Sequence, residues 1–420
     1  MAKKKSTKRD EWKLFHNIGE LYTFTGVAKK KGRRVTDEDL GCIKNAAMVS
    51  RNGRIEWVGS EDDLPEKFAK KKDLQEENMR GAGVIPAFVE CHTHAVFAGN
   101  RSAEFERRLR GESYQSIAAS GGGILSTVRA TREASEAQLA KIAQKRIDRF
   151  IDQGVTTVEV KSGYGLSAES ELKMLRAALR LKGARVVPTF LGAHAIPPEA
   201  GSAEAYIDYL IEEVLPLVRK EKLARRADIF VEKGYFLGAT AEKYLRAVRE
   251  LGFQLAVHAD QLSHSGGAEL AVRFGAKSAE HLIEIDENDI KKLAASEVTC
   301  VLLPTADLYM KCSYPPARKL IDNGARVALA TDLNPGTAPS QDLALVGVLA
   351  RLEMKMTLPE VLSAYTVGAA HALGLENELG SLSEGKLCDF CGLEGGLDEL
   401  FYEVGRQPIK RVYREAQRLR

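Results

Sequence analysis

Residues 90–94 read ECHTH, directly after the apolar run GVIPAFV at 83–89. The chain has eight histidines in 420 residues, and two of them, His92 and His94, stand at i and i+2. In an extended segment that spacing points both imidazoles to one face, where they can share one divalent ion. Other residues able to bind a metal stand at the ends of further apolar or β-branched runs. His258 ends FQLAVH (253–258), His281 ends AKSAEH (276–281) and Asp332 follows RVALAT (326–331). Two or three imidazoles and a carboxylate converging on one place would hold a divalent metal and leave a position open for water. Any one of these residues could be an isolated core or surface group, but placement on four run ends favours a shared site.

Such convergence needs elements that end side by side. Short β-branched or apolar runs recur at 84–91, 155–160, 185–193, 227–232, 253–258, 276–281, 299–304 and 326–331, eight in all. Between them lie amphipathic segments such as 136–154 and 168–183, each closed by a glycine of the kind that stops a helix. Strand and helix alternating eight times predict an α/β fold, a (β/α)8 TIM-type barrel over 81–377, whose functional groups belong at the C-terminal strand ends. The helical stretch 358–375 closes the barrel side. Residues 12–80, with the hairpin signal RNGR inside 46–59, and 378–420 read as strands again. They predict a small β-domain formed from both chain ends, preceded by a basic flexible tail over 1–11.

The bulk numbers exclude other classes. The 61 basic and 58 acidic residues nearly cancel, and the KKK runs at 3–5, 29–31 and 70–72 have no interleaved aromatics, so no nucleic-acid partner is expected. No run approaches the roughly 20 apolar residues that span a bilayer, and the basic N-terminus leads into no apolar leader, so no membrane association and a cytoplasmic location are expected. Six scattered cysteines suit reduced thiols. In CDFC (388–391) the two thiols, three apart in a strand, would point to opposite faces and chelate only if the segment were a turn.

The segments HTHAVFAGNRSAEFERRLRGESYQSIAASGGGILSTVRATREAS, EVKSGYGL, FLGAHAIPPE, HADQLSHSGGAELA, SAEHL and ATDLNPGTAPS together resemble the imidazolonepropionase family of the metal-dependent amidohydrolase superfamily. The likeness runs from about residue 40 onward. His-x-His alone points only to the superfamily, whereas GNRSAEFERRLRGESY, SGYGL and DLNPGT are particular to the one activity. The resemblance implies hydrolytic opening of the ring of 4-imidazolone-5-propanoate to N-formimidoyl-L-glutamate in histidine degradation. It implies one divalent ion per chain, zinc or iron, on His92, His94, His258 and Asp332. Arg101 and Tyr164 would hold the propionate end with His194 beside them, and His281 would work on the reacting carbonyl. Asn334, Gly336 and Thr337 would line the substrate pocket, together with Gln261. The partner would be a small molecule, and a homodimer is left open.

The chemistry suits these residues. A metal in such a site can lower its water's pKa to about 7. Charge then grows on the carbonyl oxygen, which protonated His281 or the metal would stabilise, while Asp332 could relay the water's proton to the departing ring nitrogen. A planar guanidinium at Arg101 matches a carboxylate.

Two positions depart from or extend the pattern. Gln261 stands where some members carry Glu, and an amide cannot transfer a proton, so any acid or base duty passes to His281 and Asp332. This also counts against a deaminase that uses a His-x-x-Glu shuttle, though another cyclic-amide hydrolase or an aminohydrolase stays as the alternative. Lys233 ends the fourth run where two-metal relatives place a carboxylated lysine. His264 matches no functional position and reads as loop surface. The GGG of 121–123 lacks the Gly-Lys-Ser/Thr of a Walker loop and reads as backbone approaching the substrate at a helix start. A catalytically silent scaffold would be expected to have lost a ligand, and every ligand position is filled.

Overall fold

The computed structural model describes residues 10–112, 116, 122–406 and 408–420; the basic tail expected at 1–11 lies outside them up to residue 9. The chain opens with β1 (Trp12–Tyr22), β2 (Cys42–Arg51), β3 (Arg54–Ser60), β4 (Leu74–Asn78) and β5 (Gly83–Pro86). Asn52 and Gly53, at φ 51° and 77°, form the tight turn of the β2–β3 hairpin that RNGR signals.

Eight parallel strands follow: β6 (Phe88–Glu90), β7 (Val155–Lys161), β8 (Arg185–Ala193), β9 (Arg226–Val231), β10 (Gln254–Ala259), β11 (Ser278–His281), β12 (Thr299–Leu302) and β13 (Arg326–Leu329). Each pairs with the next in chain order. The ring closes just past the ends of β6 and β13, where the Asp332 N–H donates to the His92 carbonyl (3.1 Å) and the His94 N–H to that of Leu333 (2.9 Å). Helices cover the outside, as in a (β/α)8 barrel. The helix Glu136–Ile151 shows why. Ser135 accepts from the Gln138 N–H in a capping box, and Leu139, Ala143, Ile147 and Phe150 fall on one buried face. The predicted stretch 358–375 is helical with a wider turn at Ala364–Gly368, and packs over β6, β12 and β13.

β14 (Phe390–Leu393), β15 (Ile409–Arg414) and β16 (Gln417–Arg418) return to the N-terminal strands, giving the order β16-β15-β14-β5-β1-β2-β3. A small β-domain from both chain ends thus stands beside the barrel, around Phe15, Met48, Phe390 and Tyr413. Cys388 belongs to that core and Cys391 to the barrel-side cluster, so CDFC points its thiols apart. All six cysteines are free.

Two expected boundaries shift. The run 84–91 is two strands: Gly83–Pro86 pairs with β14 and β1, and only from Phe88 does the chain enter the barrel. Pro86 has no N–H to extend a ladder. The Ala87 N–H then bonds to Asp389 in one sheet and the Phe88 N–H to Gly154 beside the other. Within 12–80, the helical turns Thr25–Lys29 and Asp37–Leu40 put Val27, Val35 and Leu40 into the barrel's core cluster. Arg33 donates there to the carbonyls of Ala294 and Gly324, both at 2.9 Å. Among the described residues, no helix is long and apolar enough to cross a membrane.

Candidate active site at the barrel mouth

His92 and His94 follow β6, His258 lies within β10, His281 ends β11 and Asp332 follows β13. All five are at most 3% exposed. The ligand atoms of His92, His94 and Asp332 lie within 4.8 Å of one another, and so do those of His92, His258 and His281. Asp332 Oδ1 is 3.2 Å from His92 Nε2 and 3.4 Å from His94 Nε2, within ion-pair reach but without hydrogen-bond geometry. His92 Nε2, His258 Nε2, His281 Nδ1 and Asp332 Oδ1 are all buried without a hydrogen-bond partner. Buried polar atoms are nearly always satisfied, so a cluster of lone-pair donors left open around one point fits a cation.

The opposite ring edges face carboxylates at ion-pair distance, again without hydrogen-bond geometry. His92 Nδ1 lies 2.7 Å from Glu280 Oε2 and His258 Nδ1 lies 3.0 Å from Asp228 Oδ2. A carboxylate on Nδ1–H fixes the tautomer that leaves the Nε2 lone pair for a metal. Burial pulls the His92 imidazole down, but the Glu280 and Asp332 carboxylates outweigh it and lift it to about 10 in the metal-free site, so His92 opens its Nε2 lone pair to a metal only as it gives up a proton. Burial pushes His94 down to about 4, and His194 and His281 well below the ordinary histidine value. That direction favours the neutral form of His281, whose protonation state the sequence leaves open. Its backbone is left-handed at φ 73°, as is that of Asp332 at φ 53°. For residues with a side chain such geometry costs about 1–3 kcal/mol and clusters at functional sites.

A cavity of about 420 Å³ opens beside these groups. It is lined by Arg101, Tyr164, His194, Gln261, Asn334 and Thr337, along with His94, His258, His281 and Asp332. His194 stacks on His94 (5.0 Å, 16°) and shares a hydrogen bond with the Gly163 carbonyl at 3.0 Å. A Cβ on Gly163 would stand 2.9 Å from that imidazole, so SGYGL needs glycine for this approach. Asn334 spends its side chain on the local turn, its Oδ1 accepting from the Gly336 and Thr337 N–H groups at 2.8 and 2.7 Å. Gly336 lines a neighbouring cavity instead. A Cβ there would strike the Arg101 guanidinium at 2.0 Å, so its smallness makes room for Arg101.

Arg101 donates from Nε to Glu104 Oε2 at 2.9 Å and from Nη2 to Glu104 Oε1. Glu104 Oε2 also accepts the Gly123 N–H at 2.8 Å, at the start of the helix Ile124–Glu133. The Gly123 N–H at that helix start is thus taken by the chain's own carboxylate, while Ile124, the first helical residue, lines the cavity; Gly121 itself lies outside the described residues. Lys233 is exposed and absent from the cavity wall. His264 is half-exposed and bonds Asp289 at 2.8 Å.

The profile of the amidohydrolase family matches residues 84–415. An imidazolonepropionase of Bdellovibrio bacteriovorus is 58% identical over 400 residues, 95% of each chain, and one of Symbiobacterium thermophilum is 47% identical over 90% of this chain and 89% of its own. The chain belongs to the amidohydrolase family, among the imidazolonepropionases. Solved amidohydrolase-fold structures agree at low identity: the ochratoxinase of A. niger superposes with TM-score 0.70 at 17% identity, over 98% of this chain and 96% of that one. An adenosine deaminase from Xanthomonas campestris with bound zinc gives 0.69 at 17%, over 97% and 92%. At that distance they speak for the fold.

Sequence reasoning passed over several groups at this amidohydrolase site. Arg108, Phe230, Tyr235 and Met310 line the cavity. Glu232 accepts from the Leu262 N–H (2.8 Å) and the Ser265 hydroxyl (2.8 Å), holding the loop that carries Gln261. Glu159, Lys161, Asp228 and Glu280 form a charged floor under the histidines. Charged residues inside otherwise apolar strand runs were the available signal.

Proposed function

We propose that the chain hydrolyses the ring amide C–N bond of 4-imidazolone-5-propanoate, giving N-formimidoyl-L-glutamate in histidine degradation. The near full-length identity to imidazolonepropionases carries this reading, and the buried, open lone pairs at the barrel mouth support it chemically. A single divalent ion per chain, zinc or iron, held by His92, His94, His258 and Asp332, supplies Lewis acidity and a water of lowered pKa when bound.

The chain's own groups do the rest. Arg101, oriented by Glu104, meets the propionate through its guanidinium, and Tyr164 and His194 flank the ring. The Asp332 carboxylate takes the proton of the attacking water and delivers it to the ring nitrogen as the C–N bond breaks. Neutral His281 donates an N–H to the carbonyl oxygen as charge accumulates there. Gln261, bonded through Nε2 to Met310 Sδ at 3.5 Å, shapes the wall and moves no proton. A cytoplasmic location belongs to the same proposal.

The test is to follow loss of imidazolone propionate and appearance of formimidoyl glutamate while zinc and iron are measured on the same sample. Turnover should scale with metal content up to one equivalent. Metal-replete protein that leaves this substrate intact but opens another cyclic amide would overturn the assignment.

A further inference from the structure

We infer that Lys161 is a positioning residue whose ammonium holds Glu280 and Asp228 against His92 and His258 and so presets both imidazoles for the ion. The inference rests on the ligand set proposed above. β7, β9 and β11 alternate around the barrel, and inward side chains of alternate strands share one layer. Lys161, Asp228 and Glu280 meet in that layer, all at 1% exposure or less.

The hydrogen-bond pattern narrows the role. Glu280 Oε1 accepts from the Ser278 hydroxyl at 2.8 Å and from Lys161 Nζ at 3.3 Å, while its Oε2 faces His92 Nδ1 at 2.7 Å and lies 3.1 Å from the same ammonium. Asp228 Oδ1 accepts its neighbour's N–H from Ile229 at 2.7 Å, while Oδ2 faces His258 Nδ1 at 3.0 Å and Lys161 Nζ at 2.8 Å. In Asp228 the oxygen that reaches the imidazole is the one that takes the Lys161 hydrogen bond; in Glu280 the ammonium bridges the carboxylate, donating to Oε1 and lying beside the Oε2 that faces His92. Glu159 Oε2 makes a third contact with Lys161 at 2.9 Å, its Oε1 taking the Thr189 hydroxyl at 2.5 Å and Arg226 Nε at 3.4 Å.

Three carboxylates converging in a buried layer repel one another strongly. The ammonium is the group that touches all three. Without it, Asp228 and Glu280 are pushed apart and off the Nδ1–H groups, and the imidazoles lose what sets their ring orientation and tautomer. Loss of such outer partners typically weakens metal binding 10–100-fold. A competing physical effect has the opposite sign, since removing a cation beneath a dication should tighten binding if charge alone mattered.

The experiment is competition for Zn2+ between a chromophoric chelator and the full-length protein, comparing wild type with Lys161→Met, Glu280→Gln and the double variant, with a thermal melt of each metal-free protein. Each single change should weaken zinc binding 10–100-fold, and the double should lose less than the product of the two, because both act on the same carboxylate. If Lys161→Met does not fold, the double variant removes one charge of each sign and is compared with Glu280→Gln. Further loss is then expected, since Asp228 is still released. Zinc affinity in Lys161→Met equal to or tighter than wild type overturns the role, as does a lowered metal-free melt with unchanged affinity. Failure of the ligand assignment looks different: wild type that holds no zinc, or His92→Ala that holds it as tightly.

Discussion

Beneath the barrel mouth the interior is filled by Glu159, Lys161, Arg226, Asp228 and Glu280, whereas the neighbouring β-domain core is filled by Phe15, Met48, Phe390 and Tyr413, all equally buried. In the second region the rings stack and meet edge-on, Phe390 to Tyr413 at 4.4 Å and Phe15 to Phe390 at 4.8 Å, and any shape that fills the volume would nearly serve. In the first, each charge has a named partner, and burying it is costly unless that partner is present. An apolar core of the same size would be easier to stabilise. The charged floor instead sets the direction of two imidazoles, so the two regions divide orientation from stability.

Substitutions can break that division. The largest effect is expected at the mouth: His258→Ala or Asp332→Ala should lose the metal or lower kcat by several orders of magnitude, with the far-ultraviolet circular dichroism unchanged. An unfolded variant would mean that the site also carries the fold. In the β-domain, Phe15→Ala should cost about 3–5 kcal/mol in denaturant unfolding while kcat of the folded protein stays at the wild-type value. A fall in kcat would link the two regions.

Arg101→Met comes next. A charge-assisted hydrogen bond to a carboxylate contributes about 1.5–3 kcal/mol, so KM for the propionate substrate should rise roughly 10- to 150-fold. Arg101→Lys should recover only part, since an ammonium lacks the planar fork. Preference over an imidazolone with an uncharged side chain should narrow to a few-fold, and an unchanged preference would assign the carboxylate to another group, such as Arg108, which also lines the cavity. Gln261→Ala should change kcat less than ten-fold, about 1.4 kcal/mol, because the amide carries no proton; damage equal to that of Asp332→Ala would restore to it a catalytic role.

His264, outside both regions, should give the smallest effect. Partial burial lowers its pKa, but the hydrogen bond to Asp289 outweighs this and raises it above the ordinary value. A raised folded-state value means that the protonated imidazole stabilises the fold below the ordinary histidine pKa of about 6.5, and that this contribution fades as pH rises through the folded value. Thermal melts of wild type and His264→Ala should therefore differ slightly at pH 5.5 and converge by pH 9. A gap that widens with pH would show the sign to be wrong.

What the sequence by itself determined is what local spacing controls. The i, i+2 pair His92 and His94 shares a face because a strand repeats every two residues, Asn52-Gly53 turns because those residues accept positive φ, and Ser135 with Gln138 begins a helix because their side chains reach its free N–H groups. Eight runs in alternation with helices were enough for the barrel and for placing His258, His281 and Asp332 at its mouth. Only the tertiary structure decided which distant charges meet. Lys161 touches Asp228 and Glu280, 67 and 119 residues away, and Arg101 is tied to Glu104 in a fork that also draws in the Gly123 N–H. The run at 84–91 likewise serves two sheets because its consecutive N–H groups, at Ala87 and Phe88, go to Asp389 and to Gly154. The physical reason is the same in each case: dihedral period acts within a few residues, whereas the burial that makes a charge need its partner exists only once the barrel has closed.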